Sequence, residues 1–172
     1  MLTSIQSRTN ASVRGQSAAT IHKDYKSLAS EFLDFKTGVF LNKYLSEITK
    51  REKKGRVELP PPTTIFEVDE DCIIVQSFRY SSVSGLIFSL LQLFVKSYRV
   101  GEANHKGEGC DIVFWTISKE EVPNSSSVST NLQQSGLKLV ENAYYERGNF
   151  NLSYLPHSQS RLIYNVEIGF DN

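Results

Sequence analysis

The segment from Thr64 to Arg99 constrains the fold more than any other part of this chain. It opens with two strand-like runs, Thr64-Ile65-Phe66-Glu67-Val68 and Cys72 to Tyr80. Asp69-Glu70-Asp71 lies between them, either as a turn or as the bend of one long strand. Further on, Val83, Leu86, Ile87, Leu90, Leu91, Phe94 and Tyr98 recur at the i, i+3, i+4, i+7 spacing of one helix face. Ser81 or Ser82 offers a hydroxyl to the free N–H groups of a first turn. Phe88, Leu93 and Val95 fall off the stripe, so the predicted helix is apolar nearly all round and belongs in a core. A membrane span needs about 20 apolar residues. Ser89 and Gln92 interrupt this run, and Lys96 closes it. The expectation is a sheet built around one central apolar helix.

The rest of the body reads as strand. Gly101 to Gly109 is a polar loop, and Cys110 to Ile117 is an apolar run with little alternation, as in a strand buried on both faces. Lys119 to Ser135, rich in Ser, Asn and Gln, is too long for a simple connection. Three alternating sets close the chain: Leu137, Leu139 and Ala143; Phe150, Leu152 and Tyr154; then Leu162, Tyr164, Val166, Ile168 and Phe170. Arg147-Gly148-Asn149 is a hairpin-turn candidate between the first two. The predicted class is α+β, a mostly antiparallel sheet of five or six strands packed on one central apolar helix, with an N-terminal amphipathic helical appendage.

Four regions are expected. Residues 1–20 form a mobile tail, polar and without periodicity. Residues 21–56 form an amphipathic basic helical region, with Tyr25, Leu28, Phe32, Phe35 and Val39 on one stripe. Ala29, Leu33, Phe40, Tyr44 and Ile48 continue a neighbouring stripe, and Gly38 marks a break or kink. Residues 57–63 are a proline linker and residues 64–172 a globular domain. The charge is split along the chain. Of 19 basic and 19 acidic residues, 11 and 5 lie in 1–56, a net of +6, leaving 8 and 14 in 57–172, a net of −6. Such a split points to an anionic partner for the front, or to head-to-tail association between copies; a merely solvated basic helix end accounts for it equally well. Residues 1–16 lack the apolar core of a secretion signal, which suits a protein made in the cytosol.

No catalytic constellation emerges. His22, His105 and His157 lie far from one another and from Cys72 and Cys110, with none of the close pairs of a metal site. Both cysteines sit in apolar runs and read as small buried hydrophobes of a reducing compartment. Gly107-Glu108-Gly109 precedes a strand instead of opening a helix, so it is no dinucleotide loop. There is no lysine phosphate loop and no serine elbow, and Asp69, Glu70 and Asp71 lack the spacing of a calcium loop. The reading is a non-enzyme with no cofactor, no metal and no small-molecule substrate. Lys50, Arg51, Lys53, Lys54 and Arg56 are the candidate contact for anionic lipid or nucleic acid. Pro60-Pro61-Pro62 is extended and able to dock in a groove.

The order of parts resembles the matrix proteins of rhabdoviruses: a basic front, a proline triplet, the acidic strand Ile65 to Glu70, then strand, helix, apolar strand, long polar loop and closing strands. Tyr154-Leu155-Pro156-His157 is similar to a short segment of vesiculovirus matrix proteins, and Arg161 to Asp171 looks like their final strand region. The short length suits the plant cytorhabdovirus branch. Pro61-Pro62-Thr63-Thr64 lacks the tyrosine of a PPxY budding motif, and the dense lysine tail is missing. The resemblance implies a structural protein that self-assembles between nucleocapsid and envelope, condensing the former and binding anionic lipid. It would lie beneath the envelope of the virion and in the host cytoplasm and internal membranes. Its partners would be further copies of itself in an open head-to-tail oligomer, the nucleocapsid, an anionic membrane surface and the viral glycoprotein. Leu59, Pro60, Pro61 and Pro62 would carry self-association. The alternatives are a cytosolic adaptor or host-directed effector, a small RNA-binding protein using Arg8, Arg14 and the basic run, and an enzyme whose pocket the sequence hides.

Overall fold

The computed structural model describes residues 2–5, 12–32, 62–80, 85, 87–123, 138–139 and 144–170. In chain order these form β1 (Leu2–Ile5), β2 (Ser12–Ile21), α1 (Tyr25–Phe32), β3 (Thr63–Asp69), β4 (Cys72–Tyr80), β5 (Ile87–Arg99), β6 (Gly109–Ile117), a 3₁₀ turn at Lys119–Glu121, β7 (Lys138–Leu139), β8 (Tyr144–Leu155) and β9 (Gln159–Phe170). Among the described residues the strands make one nine-stranded sheet in the order β1-β2-β9-β8-β6-β5-β4-β3, with β7 beside β5. Neighbours run antiparallel except the short β5–β7 pair.

This corrects the expected sheet on a central helix. The apolar run predicted as that helix is strand β5, paired with β4 from Cys72↔Val95 to Tyr80↔Ile87 and with β6 from Leu91↔Ile117 to Arg99↔Gly109. A strand covered on both faces is apolar all round, just as a buried helix is, so periodicity cannot separate the two. Phe94 points to one core, while Leu91 points to a second with Ile74, Ile117 and Val122; Leu90 is buried as well. Residues 12–20, expected in a mobile tail, lie in β2 and pair with β9 from Ser12↔Gly169 to Ile21↔Ser160. The Arg147-Gly148-Asn149 turn is likewise corrected. Gly148 lies inside β8, where a Cβ would come within 2.0 Å of the Asn165 carbonyl oxygen and 3.0 Å of the Phe114 ring. A glycine within a strand marks such a close approach. In β6, expected to be buried on both faces, Val113 and Trp115 are exposed.

The β3–β4 hairpin is present around Glu70-Asp71, and the alternating sets of β8 and β9 each line one face. Of residues 21–56, expected to be helical, Ile21 ends β2, Tyr25–Phe32 form α1, and 33–56 lie outside the described residues. Asp24 caps α1: its Oδ1 accepts from the N–H of Lys26 and of Ser27, both at 3.1 Å. Tyr25, Leu28, Ala29 and Phe32 follow helix spacing and are buried. They pack on the face formed by Phe94, Ile112, Phe114, Phe150, Leu152 and Tyr164, with Phe32 edge-on to Phe150 at 4.7 Å between ring centroids. A helix of eight residues spans about 12 Å, far less than strands of 12 or 13 residues at about 3.3 Å each. Among the described elements, then, α1 fills only one end of the sheet's inner face.

Candidate functional site

Beyond α1, the inner face carries a buried polar group. Arg79 of β4 donates to Glu146 of β8 through Nε to Oε1 (2.7 Å) and Nη2 to Oε2 (2.8 Å), and its Nη1 donates to the Phe78 carbonyl (2.8 Å). Gln92 Nε2 and Tyr144 OH also donate to the same carboxylate, at 3.0 and 2.6 Å. Ser77 Oγ donates to Gln92 Oε1 at 2.9 Å. Arg79 and Glu146 each expose 6 % of their surface, and Gln92 and Ser77 each 1 %.

The strand order places β4 and β8 three strands apart, with β5 and β6 between. At about 4.8 Å per strand, a flat sheet would separate them by about 14 Å. Side chains that meet bidentately across that span require the sheet to curl toward this face, so the inner face is concave. Local chemistry supports the bend: Thr116 Oγ1 takes the Glu146 N–H (2.8 Å) and donates to the Glu146 carbonyl (3.0 Å), replacing a ladder step at the end of the β6–β8 pairing. Burial pushes the Glu146 carboxyl up, but the Arg79 charge and the bonds from Arg79, Tyr144 and Gln92 outweigh it and hold the group below the usual carboxylate range. Tyr144 also stacks edge-on with Phe88 and with Phe170, which is half exposed. The concave face therefore joins an aromatic and aliphatic floor to an ionised, fully hydrogen-bonded polar end.

A second cluster ties α1 to the β5–β6 hairpin. Tyr25 OH donates to Glu108 at 2.5 Å, His105 Nδ1 lies 2.5 Å from the other oxygen of that carboxylate, and the His105 ring stacks on Tyr154 at 4.3 Å. Burial and the Glu108 contact raise the Tyr25 phenol to about 12. The cluster joins α1, the β5–β6 loop and β8.

On the convex face, one row of neighbouring positions runs Leu93, Trp115, Arg147, Glu167 and Arg14 across β5, β6, β8, β9 and β2. Arg14 Nε donates to Glu167 Oε1 at 2.9 Å, Arg147 Nε to Oε2, and Arg147 lies over the Tyr145 ring at 5.2 Å. Val113 and Trp115 are 42 % and 38 % exposed beside them.

The residues that sequence analysis singled out do not gather at either place. Lys50, Arg51, Lys53, Lys54, Arg56, Leu59, Pro60 and Pro61 lie outside the described residues, and Pro62 is half-buried just ahead of β3. Of the RNA-binding candidates, Arg14 sits in the convex row and Arg8 is outside the described residues. Among the described residues no group of three or more metal-ligating side chains comes together, and no helix is long and apolar enough to cross a membrane. Sequence reading missed Ser77, Arg79, Gln92, Tyr144 and Glu146. Its available signal was a set of polar residues inside apolar runs. Gln92 interrupts a predicted helix, yet on a strand it is the centre of the network.

No protein-family model and no curated protein matches this sequence. Solved structures do. The human StAR-related lipid transfer protein 5 superposes with a TM-score of 0.57 at 5 % identity, over 100 % of this chain and 73 % of its own. The lipid transfer and protein localization domain of human StarD13 (DLC2) gives 0.51 at 11 % identity, over 100 % and 75 %. The Zhui aromatase/cyclase from Streptomyces sp. R1128 gives 0.50 at 8 % identity, over 94 % and 70 %. The likeness is one of fold. Among the described residues an antiparallel sheet with one short helix replaces the expected sheet on a central helix, and its likeness to these domains accords with that correction. The neighbours named here comprise lipid-transfer domains and one cyclase.

Proposed function

We propose that this protein is a non-enzymatic binding protein for a lipid-class molecule, held along the concave face with its polar group toward Arg79 and Glu146. The observation that carries the reading is the buried, bidentate Arg79–Glu146 pair at the end of the concave face away from α1. Removing two charges from water costs several kcal/mol each, and apolar residues of the same volume commonly stabilise a fold better. A pair kept there, with Gln92, Ser77 and Tyr144 arranged around it, suits recognition of a polar group at the end of an apolar body. That two of the fold's neighbours are lipid-transfer domains supports the same class of ligand. No nucleophile–base pair adjoins the network among the described residues. The test is titration with a fluorescent long-chain fatty acid and native mass spectrometry of the purified chain before and after organic extraction. Retained lipid, or saturable probe binding that the Arg79→Met/Glu146→Leu variant weakens at least tenfold while staying folded, is the expected result. A wild-type chain that carries no lipid and binds no probe overturns the reading.

A second reading is the matrix protein, which assembles beneath an envelope and contacts anionic lipid and nucleocapsid. It is supported by the charge split, +6 over residues 1–56 against −6 over 57–172. Reversing Lys50, Arg51, Lys53, Lys54 and Arg56 to Glu is expected to abolish flotation with anionic liposomes. Unchanged flotation removes the membrane role from those residues.

A further inference from the structure

We infer that the convex face between β6 and β2 binds an extended, uncharged oligosaccharide, stacked on Trp115 and held by the side-chain amides of Asn149, Asn165 and Gln16. Strand pairing sets two rows of side chains next to each other on this face. One runs Trp115, Arg147, Glu167 and Arg14, and the other Val113, Asn149, Asn165 and Gln16. Two adjoining depressions of about 420 and 690 Å³ lie along them and share Arg147 and Gly148. Toward β5 the same face is covered, because Leu91 and Ile117 pack there with Val122.

The residue types are what point to a ligand. Asn and Asp are depleted in strands, where β-branched and aromatic side chains fit the pleat better. Yet Asn149 stands directly opposite Asn165, and Asn151 opposite Asp111, on strands inside the sheet. None of the four belongs to either core, so packing does not require them. A local preference broken on one wet face, with no packing gain, marks a functional surface. Asn165 Nδ2 donates to Asn149 Oδ1 at 3.2 Å, so the two amides hold each other in place. Among the described residues that bond leaves the Asn149 N–H groups and the Asn165 oxygen available. Sugar hydroxyls both donate and accept, and an amide offers both roles in one plane. Trp115 and Val113 are exposed beside the amides, and the electron-rich face of the indole attracts the C–H groups of a sugar ring. Three strand steps from β6 to β2 span about 14 Å, which suits a chain of sugars better than one.

Other occupants fit the face less well. Glu167 is held by Arg14 and Arg147, and Asp111 Oδ1 accepts from Asn151 at 2.7 Å. Both carboxylates lie where a phosphate backbone would run, which disfavours a nucleic acid. A lipid surface needs contiguous apolar area, and Val113 and Trp115 stand here among polar neighbours. The site is on the opposite side of the sheet from the Arg79–Glu146 pair, so it stands or falls apart from the lipid reading.

Trp115 is the sole tryptophan of the chain, so its emission reports on this face. The experiment titrates the full chain with cellohexaose, xylohexaose, mannohexaose and maltohexaose, following Trp115 emission and the heat of binding. A saturable change with at least one of them is expected. Trp115→Ala should abolish that heat. Asn149→Thr/Asn165→Thr should weaken binding at least tenfold with a thermal midpoint no lower than wild type, because threonine is the better strand former. Circular dichroism checks that each variant is folded, and Gln16→Ala, at an exposed position, replaces the double variant should that unfold. Three results overturn the inference: no emission change and no heat with any of the four sugars, binding that Trp115→Ala leaves intact, or a folded amide variant that binds as tightly as wild type. An emission change with polyuridylate and with none of the sugars overturns it in favour of nucleic acid.

Discussion

Replacing Arg79 with Met strands Glu146 inside the protein, and the cost follows from the geometry. Glu146 exposes 6 % of its surface and accepts two bonds from Arg79, one from Gln92 and one from Tyr144. Methionine fills much of the arginine's volume but removes the charge and both bonds. Breaking a buried pair from one side costs about 3–5 kcal/mol, because the surviving charge is left uncompensated. With a urea slope of about 2 kcal/mol/M, the unfolding midpoint should fall by roughly 2 M. The double variant Arg79→Met/Glu146→Leu behaves differently. It removes both charges, leaves the Gln92 and Tyr144 donors short of an acceptor at about 1–3 kcal/mol, and recovers the desolvation of two ions. It should therefore unfold at least about 2 kcal/mol above the single variant. The pH dependence separates the two as well. The Glu146 carboxyl is held below its ordinary value of 4.5 in the fold, so its stabilisation is fully present above that pH and lost as pH falls through the depressed native value. Wild type should lose that contribution below about pH 4.5, and the double variant has none to lose. A single variant within about 1 kcal/mol of wild type, or a double variant less stable than the single, refutes the argument that this is a buried, desolvated pair.

Three further outcomes are expected. Gly148→Ala should destabilise by about 1–3 kcal/mol, since its Cβ would sit 2.0 Å from the Asn165 carbonyl oxygen; thermal unfolding equal to wild type contradicts that approach. Asp24→Ala should cost about 1 kcal/mol by removing the cap of α1, and denaturant midpoints measure it. Burial raises the Cys110 thiol to about 11 and also raises Cys72, so both should resist alkylation at neutral pH. Cys110, with no exposed surface, should react only on unfolding; rapid labelling of native Cys110, read by peptide mass spectrometry, refutes its burial.

Local pattern was sufficient where one side of an element is wet. The alternation of Phe150, Leu152 and Tyr154 with polar residues, and of Leu162, Tyr164 and Val166 likewise, identified β8 and β9 and their inner faces. Tyr25, Leu28 and Phe32 identified the buried stripe of α1, and Asp69 to Asp71 the hairpin turn. An element half in water carries its own orientation in its sequence, because the hydrophobic effect acts on each residue separately.

Only the tertiary structure decided the elements covered on both faces. Ile87 to Arg99 is apolar all round, and that composition suits a buried helix and a central strand equally; pairing with β4 and β6 settles it. Gly148 resembles a turn glycine until the Asn165 carbonyl is brought against it. The polar network is the extreme case. Ser77, Arg79, Gln92, Tyr144 and Glu146 span 70 positions of sequence, and no spacing relates them. The residue types and the pattern of water exposure are written along the chain. The meeting of β4 with β8 depends on the curl of a whole sheet, which no local segment encodes.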